Sequence, residues 1–219
     1  MSSLRLIAKD FLSRIEKEDW YIKYKSIVDT DIDTALNDKR QVRVKQILNT
    51  ISLPTEFINS GCYRLTLNYR DSLAIKVSLF RNNSIDKEVK LLKLLQDEKL
   101  TKLSNYLCPV LASNNYVGIY PLCKPSECFI VTGIDGVRTI VDGCEPSDML
   151  ISTITNKFDV EDILLSDVSR KDQWGFLDNK LVLLDYADWM SIREKRSYVI
   201  LNKDIDSIIR RYKERGFLD

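Results

Sequence analysis

Residues 166–189 decide how this chain is interpreted, and they read SDVSRKDQWGFLDNKLVLLDYADW. Asp167 lies in a polar stretch, and the apolar run 181–184 leads directly to a second aspartate, Asp185. Asp178-Asn179 between apolar stretches is typical of a tight hairpin turn, so we predict two antiparallel strands here. A carboxylate directly after four apolar residues is costly to bury unless it meets a cation or a metal. The stretch therefore presents two aspartates, one from a loop and one from a strand end.

Two aspartates presented in this way suit one chemistry well. One can orient or deprotonate a hydroxyl, while the other holds Mg²⁺ on a nucleotide triphosphate. The alternative is a plain β-hairpin in which Asp185 only caps the following turn. The choice between the two depends on whether a cationic partner is found elsewhere in the chain.

An upstream segment, residues 54–80, supplies such a cation. Its pattern predicts three short strands, and the third, Leu73–Phe80, carries Lys76 among apolar residues. A lysine inside an apolar strand is unusual, because a buried ammonium group needs a partner. Lys76 is therefore a candidate functional residue.

A predicted helix that follows can supply the partner of Lys76. Asn83 is a suitable N-cap for it, and Glu88 falls on the same helical stripe as its apolar residues, which are Ile85, Leu92 and Leu95. We therefore predict that Glu88 points inward and pairs with Lys76. The alternative is that Lys76 extends its ammonium group to solvent while Glu88 stays at the rim.

These charged positions, in this order, resemble the protein-kinase-like superfamily. The stretch 73–76, LAIK, is similar to the Val-Ala-Ile-Lys strand, and Glu88 is similar to the helix glutamate that holds its lysine. Asp167 resembles the aspartate of the catalytic loop, and 183–187, LLDYA, resembles the Asp-Phe-Gly turn with its preceding strand. The combination of QWG with LLDYA is most similar to small kinase-like proteins predicted in bacteriophage genomes. The resemblance covers residues 54–190.

The resemblance implies ATP and Mg²⁺ as cofactors and assigns roles to particular residues. The implied catalytic residues are Asp167, Lys76 and Glu88. The implied metal ligands are Asp185, with Gln173 or Asp172 as the second protein ligand. The implied nucleotide-binding residues are Gly61, Lys76, and the hinge near Tyr120, Leu122 and Cys123.

The chain also departs from the kinase pattern at several of these positions. Gln173 stands where the family has a metal-binding asparagine, and Gly61 is the one glycine left in the phosphate-covering loop. The chain has no histidine, and no Ala-Pro-Glu segment follows Asp185. We therefore expect an abbreviated second lobe and a less regular metal site.

The pattern divides the chain into three parts. Residues 1–50 are helical in periodicity and form an N-terminal extension, and residues 51–122 form a small, strand-rich lobe. Residues 123–219 form an abbreviated second lobe with the catalytic-type loop and a C-terminal helix that begins near Asn202. The expected fold class is α+β, a divergent, minimal two-lobed protein-kinase-like fold.

Composition excludes several classes of protein. Charged residues make up 30% of the chain and hydrophobic residues 44%, as in a soluble globular protein. No apolar run approaches the length that spans a bilayer. A net charge of +1 gives no sign of the basic surface that is typical of nucleic-acid-binding proteins. The five cysteines form no Cys-x-x-Cys pair and are expected to be reduced. The expected location is the cytoplasm, of the host cell if the protein is viral.

Three functional hypotheses follow. The favoured one is an ATP- and Mg²⁺-dependent phosphotransferase acting on a hydroxyl of a protein or small molecule, which requires Lys76, Asp167 and Asp185 to converge. The second is a pseudokinase that binds a partner protein, with its cleft filled by Tyr63 or Trp174. The third is a small interaction protein with coincidental kinase signals, which would place Lys76 and Asp185 far apart.

Overall fold

The computed structural model describes most of the chain. The described residues are 2–30, 37–60, 63–70, 72–81, 84–125, 129–132, 138–141, 148–166 and 168–191. Asp167, Gly61, the N-cap residue Asn83 and the predicted C-terminal helix lie outside them.

Three helices form the N-terminal extension, as the periodicity predicts: α1 (Ser2–Ile15), α2 (Asp19–Asp29) and α3 (Asn37–Thr50). The apolar stripe of α1 and the aromatic residues of α2 are buried, and the ring of Phe11 stacks on that of Tyr69, 4.4 Å between centroids. The hydroxyl of Tyr24 donates hydrogen bonds to the carbonyls of Ser78 and Tyr116. These contacts fasten the extension to the sheet.

Five antiparallel strands form the central sheet: β1 (Thr55–Ser60), β2 (Arg64–Tyr69), β3 (Leu73–Ser78), β4 (Ala112–Ser113) and β5 (Val117–Pro121). Their order in the sheet is β1-β2-β3-β5-β4. The central strand β3 is buried along its whole length. Because successive side chains of a strand point to opposite faces, β3 contributes to two different environments.

One face of this sheet packs on the N-terminal helices, and the other packs on the rest of the chain. Leu73, Ile75 and Val77 belong to the core shared with α1 and α2, whereas Ala74 belongs to the second core. Lys76 has the same parity as Ala74 and so lies on the second face. The period of two therefore directs Lys76 away from the helical extension.

Helix α4 (Ser84–Asp97) and the short helix α5 (Thr101–Ser104) follow the third strand. The buried residues of α4 include Ile85, Glu88, Leu91 and Leu95. Leu92, which the predicted stripe placed in the core, is only half-buried, because Leu91 takes the inward position. Glu88 is inward, as predicted.

The remaining chain forms small sheets and one helix. Its elements are β6 (Lys124–Pro125), β7 (Phe129–Thr132), β8 (Arg138–Val141), α6 (Asp148–Asp159), β9 (Ile163–Leu165), β10 (Trp174–Leu177), β11 (Lys180–Leu183) and β12 (Trp189–Ser191). The predicted hairpin is confirmed, since β10 pairs with β11 in antiparallel register. Asp178 and Asn179 turn it with φ of 49° and 62°, the left-handed conformation that such turns require. The observed class is mixed helix and strand with antiparallel sheets, in agreement with the α+β prediction.

Candidate functional site

Lys76 is placed by cross-strand geometry. It lies opposite Gly118 of β5, and the ring of Tyr120 covers that glycine. A Cβ at position 118 would lie 2.7 Å from Cε2 of Tyr120, so glycine is what allows the ring to lie there. The Lys76 ammonium group lies 4.3 Å from the ring centroid, a cation–π distance. The sheet thus holds the lysine against an aromatic wall.

Glu88 meets this lysine from helix α4, as predicted. One carboxylate oxygen, Oε1, lies 3.5 Å from Nζ of Lys76, and the side chain of Glu88 is fully buried. The Tyr120 hydroxyl donates to the other oxygen, Oε2, and the Tyr186 amide donates to Oε1 at 3.4 Å. Burial and the neighbouring carboxylate raise the pKa of Tyr120 well above its ordinary value, so its hydroxyl stays a donor. The alternative, with both side chains at the rim, is excluded.

Arg64 belongs to the site, although no sequence motif predicted it. It lies on β2 with 6% of its side chain exposed, and its Nη1 is 3.0 Å from Oε1 of Glu88. Its Nη2 donates to Oδ1 of Asp185. The same period of two that locates Lys76 could have revealed it, because Leu65 and Leu67 face the N-terminal helices and so Arg64 must face the other way.

Asp185 completes a cluster that we call the four-charge cluster, made of Arg64, Lys76, Glu88 and Asp185. The Asp185 side chain is 47% exposed, and its Oδ1 also accepts the Ala187 amide at 3.5 Å. Burial by itself would raise the pKa of Asp185, but Arg64 and Lys76 together lower it to about 2. Two cations and two anions therefore balance in this cluster, and Asp185 is ionised at neutral pH.

The backbone joins Lys76 directly to the turn that carries Asp185. Nζ of Lys76 donates to the carbonyl of Leu184, the residue before Asp185. Burial would lower the pKa of Arg64, but Glu88 and Asp185 raise it overall, so its guanidinium group stays charged. The structure thus brings Lys76, Glu88 and the Asp185 turn together. Lys76 and Asp185 therefore do not lie far apart, which is the spacing that the third hypothesis predicted.

The predicted metal ligands do not form a ready metal site. Arg64 holds Asp185, and Arg170 holds Asp172 through Nη2 at 2.5 Å and Nε at 3.1 Å. The backbone carbonyl of Gln173, not its side-chain amide, accepts the Leu184 amide at 2.7 Å. Within the described ranges, no three His, Cys, Asp or Glu side chains lie close enough together to hold a metal ion. Each of the two carboxylates is thus paired with an arginine, and Mg²⁺ binding by Asp185 with Gln173 or Asp172 stays a prediction.

The predicted hinge has fewer free groups than expected. The Leu122 amide donates to the Ser72 carbonyl at 3.0 Å, and Tyr120 is in the β5 ladder opposite Ala74. Cys123 places its sulfur beside Cys108. The Leu122 amide is therefore already hydrogen-bonded within the protein, and adenine recognition at this position stays a prediction.

Tyr63 and Trp174, the two aromatic residues expected to fill a pseudokinase cleft, do not pack against Lys76 and Asp185. Tyr63 is 58% exposed, and Trp174 is buried with its Nε1 donating to the Val168 carbonyl at 2.8 Å. Tyr120 and Arg64 are the groups that pack against Lys76 and Asp185. A polar surface groove near Lys17 and Asn49 involves none of these residues.

Comparison with known proteins adds little to this description. The chain matches no protein-family model, and no curated protein matches it in sequence. Among solved structures, the ternary complex of streptomycin, ATP and APH(2'')-IIa aligns with 73% of this chain and 72% of that chain. The identity is 13% and the TM-score is 0.33, and a TM-score of this size does not establish a shared fold. Among the described residues, no helix is long and apolar enough to cross a membrane.

Proposed function

We propose that this protein is a minimal, divergent kinase-like phosphotransferase that uses ATP to phosphorylate a hydroxyl group. The observation that carries the proposal is the contact of Lys76 with both Glu88 and the Leu184 carbonyl, directly before Asp185. These contacts agree with the arrangement of Lys76, Glu88 and the Asp185 turn that the resemblance to the kinase-like superfamily implies. Phosphoryl transfer depends mainly on positioning and electrostatic stabilisation, so a few well-placed groups can suffice.

The proposal gives each residue a role. Lys76 contacts nucleotide phosphate and Glu88 holds it in place, while Asp167 orients or deprotonates the acceptor hydroxyl. Gly61 allows the backbone to approach phosphate, and the segment from Tyr120 to Cys123 borders the adenine. The acceptor is a hydroxyl of a protein or of a small molecule. Dependence on Mg²⁺ rests on the resemblance alone, since the donor groups at Asp185 and Asp172 are paired with arginines.

One observation favours a second function, that of a pseudokinase that binds a partner protein. Arg64 occupies Oδ1 of Asp185 and makes the four-charge cluster electrically neutral. A kinase-like site prepared for a triphosphate and its metal needs a carboxylate that is free to bind the metal. The Arg64–Asp185 pair engages that carboxylate, which is consistent with a scaffold used for binding.

The first experiment measures nucleotide binding by thermal unfolding with ATP, with and without MgCl₂. A ligand at about 100 times its Kd stabilises a protein by about 2.7 kcal/mol, so an upward shift in melting temperature is expected. Lys76→Met should abolish the shift. Lys87→Met is the matched control, because Lys87 is a half-exposed lysine 4.0 Å from Asp188. No shift in the wild-type protein would contradict nucleotide binding at this site, and with it the phosphotransferase.

The second experiment separates the two functions. Transfer of the γ-phosphate is measured with the wild-type protein and with Asp167→Ala, using protein and small-molecule acceptors. Transfer that depends on Asp167 supports the phosphotransferase. Nucleotide binding with equal background signal from both proteins supports the pseudokinase.

A further inference from the structure

Two cysteines that are distant in sequence meet beside the four-charge cluster. Sγ of Cys108 lies 3.6 Å from Sγ of Cys123, 15 positions later. Cys108 follows helix α5 and Cys123 precedes β6. Neither position belongs to a Cys-x-x-Cys motif, so only the tertiary structure reveals the pair.

Both cysteines are held by their surroundings, so the short distance is built into the fold. The Cys108 amide donates to the Leu183 carbonyl at 2.9 Å, and the Cys108 carbonyl accepts the Tyr186 hydroxyl at 2.5 Å. Cys123 lies against β10, where its Cβ is 3.2 Å from the position that a Cβ on Gly175 would take. The two sulfurs therefore face each other from two anchored segments.

The two thiols differ in exposure. Cys108 is 2% exposed, whereas Cys123 is partly exposed. A small reagent thus reaches Cys123 first. Cys108 is positioned behind it, where it can attack whatever forms on the outer sulfur.

The pKa shifts of the two thiols also favour Cys123, the more exposed one, as the more reactive. The hydrogen bond from Cys108 lowers the pKa of Cys123, and the ammonium group of Lys76 lowers it further. The same hydrogen bond, together with burial, raises the pKa of Cys108 well above its ordinary value. Since the thiolate is the nucleophile, Cys123 is the more reactive of the two.

We propose that Cys108 and Cys123 form a hydroperoxide-reactive site that closes reversibly into a disulfide. The proposal does not rest on nucleotide binding or on phosphoryl transfer, although Cys123 also belongs to the segment proposed to border the adenine. The class of reactant is a hydroperoxide, including hydrogen peroxide itself.

The reaction balances in two steps. The Cys123 thiolate attacks one peroxide oxygen, so that an S–O bond forms, the O–O bond breaks, and the leaving alkoxide or hydroxide takes up a proton. The Cys108 sulfur then attacks the Cys123 sulfur, so that an S–S bond forms and the S–O bond breaks. The released hydroxide takes the Cys108 proton and leaves as water. Two thiols are oxidised, one peroxide is reduced, and the sulfurs close from 3.6 Å to about 2.0 Å.

The test uses the full chain with Cys62, Cys128 and Cys144 replaced by serine, so that only the proposed pair remains. The reduced protein is treated with hydrogen peroxide, and free thiols and intact mass are followed together. We expect both thiols to disappear together, the mass to fall by two hydrogen atoms, and dithiothreitol to reverse the change. A mass that rises by added oxygen while one thiol remains would overturn the proposal.

Two matched variants assign the roles. With Cys108→Ser, Cys123 should stop at the sulfenic acid, which dimedone labels. With Cys123→Ser, Cys108 should oxidise at least about tenfold more slowly than Cys123 does, because it is buried and keeps its proton. Equal oxidation rates for the two single cysteines would overturn the assignment of Cys123 as the outer nucleophile.

Folding of each variant is checked by circular dichroism and urea unfolding. If the variant without the other three cysteines does not fold, the wild-type protein is oxidised, alkylated and digested. A peptide pair linked through Cys108 and Cys123 is then the required product. Absence of that link, with other cysteines linked instead, would contradict the proposal.

Discussion

Nη2 of Arg64 donates to Oδ1 of Asp185, which lies 121 positions later in the chain. This pair joins the central sheet to the turn after β11 and neutralises the aspartate that the sequence assigned to a metal. The same guanidinium also contacts Glu88, the partner of Lys76. The predicted ion pair is thus one half of a larger cluster, and the following predictions test that cluster.

Arg64→Gln should increase the affinity for a divalent cation, because it removes the positive charge that competes for Asp185. The measurement is a titration with MnCl₂ alone, followed by the loss of the free Mn²⁺ signal in electron paramagnetic resonance. Arg14→Gln is the control, since Arg14 forms an exposed ion pair with Asp10. Equal Mn²⁺ affinity in all three proteins would show that Arg64 does not govern access to Asp185.

The same substitution should destabilise the fold. Arg64 forms a buried ion pair with Glu88, and removing one partner of such a pair costs about 3–5 kcal/mol. We expect the lower end because Glu88 keeps Lys76 and Tyr120. Arg14→Gln should cost less than about 1 kcal/mol, as exposed pairs do. Urea unfolding of both variants measures the difference. Similar losses in the two would mean that the Arg64 pair is no stronger than a surface pair.

Glu88→Gln should destabilise the protein by about 3–5 kcal/mol, because it leaves two buried cations without their shared carboxylate. Adding Lys76→Met should cost less than the sum of the two single substitutions, since the residues share one network. A double-mutant cycle by urea unfolding gives the coupling energy. Additive losses would contradict direct coupling between Lys76 and Glu88.

Gly118→Ala should destabilise the protein by about 1–3 kcal/mol through overpacking, because the new Cβ would lie 2.7 Å from the Tyr120 ring. In a Tyr120→Leu background the penalty should shrink, since the ring that causes the clash is absent. The two costs are compared by urea unfolding. If Gly118→Ala cost as much stability in the Tyr120→Leu background as in the wild-type protein, the clash would not be with the Tyr120 ring.

The Arg64–Asp185 pair should contribute to acid stability. The pKa of Asp185 is about 2 in the folded protein and 3.8 ordinarily. Because the folded pKa is the lower one, the stabilisation is fully present above pH 3.8 and is lost as pH falls toward 2. The free energy of unfolding should therefore fall more steeply with acid in the wild-type protein than in Asp185→Asn. Identical slopes between pH 4 and 2 would contradict the lowered pKa.

Much of the fold could be predicted from local patterns. The hairpin at Asp178-Asn179 follows from the turn that those residues allow, and the inward direction of Lys76 and Glu88 follows from strand and helix periods. Local periodicity is less exact about which of two adjacent leucines is buried, as Leu91 and Leu92 show. The helical extension was predicted as helices, but its contact through Tyr24 with the sheet was not.

The sequence by itself determined which side chains of β3 and α4 turn inward. It therefore determined that Lys76 and Glu88, two opposite charges in an apolar environment, would pair. Only the tertiary structure decided which additional groups meet them. Arg64 reaches Asp185, and Cys108 reaches Cys123, through sheet register and long-range packing. Strand period can indicate that Arg64 faces away from Leu65 and Leu67, but not that it meets Asp185, because the pairing partner is set by how distant segments pack and not by the repeat of one helix or strand.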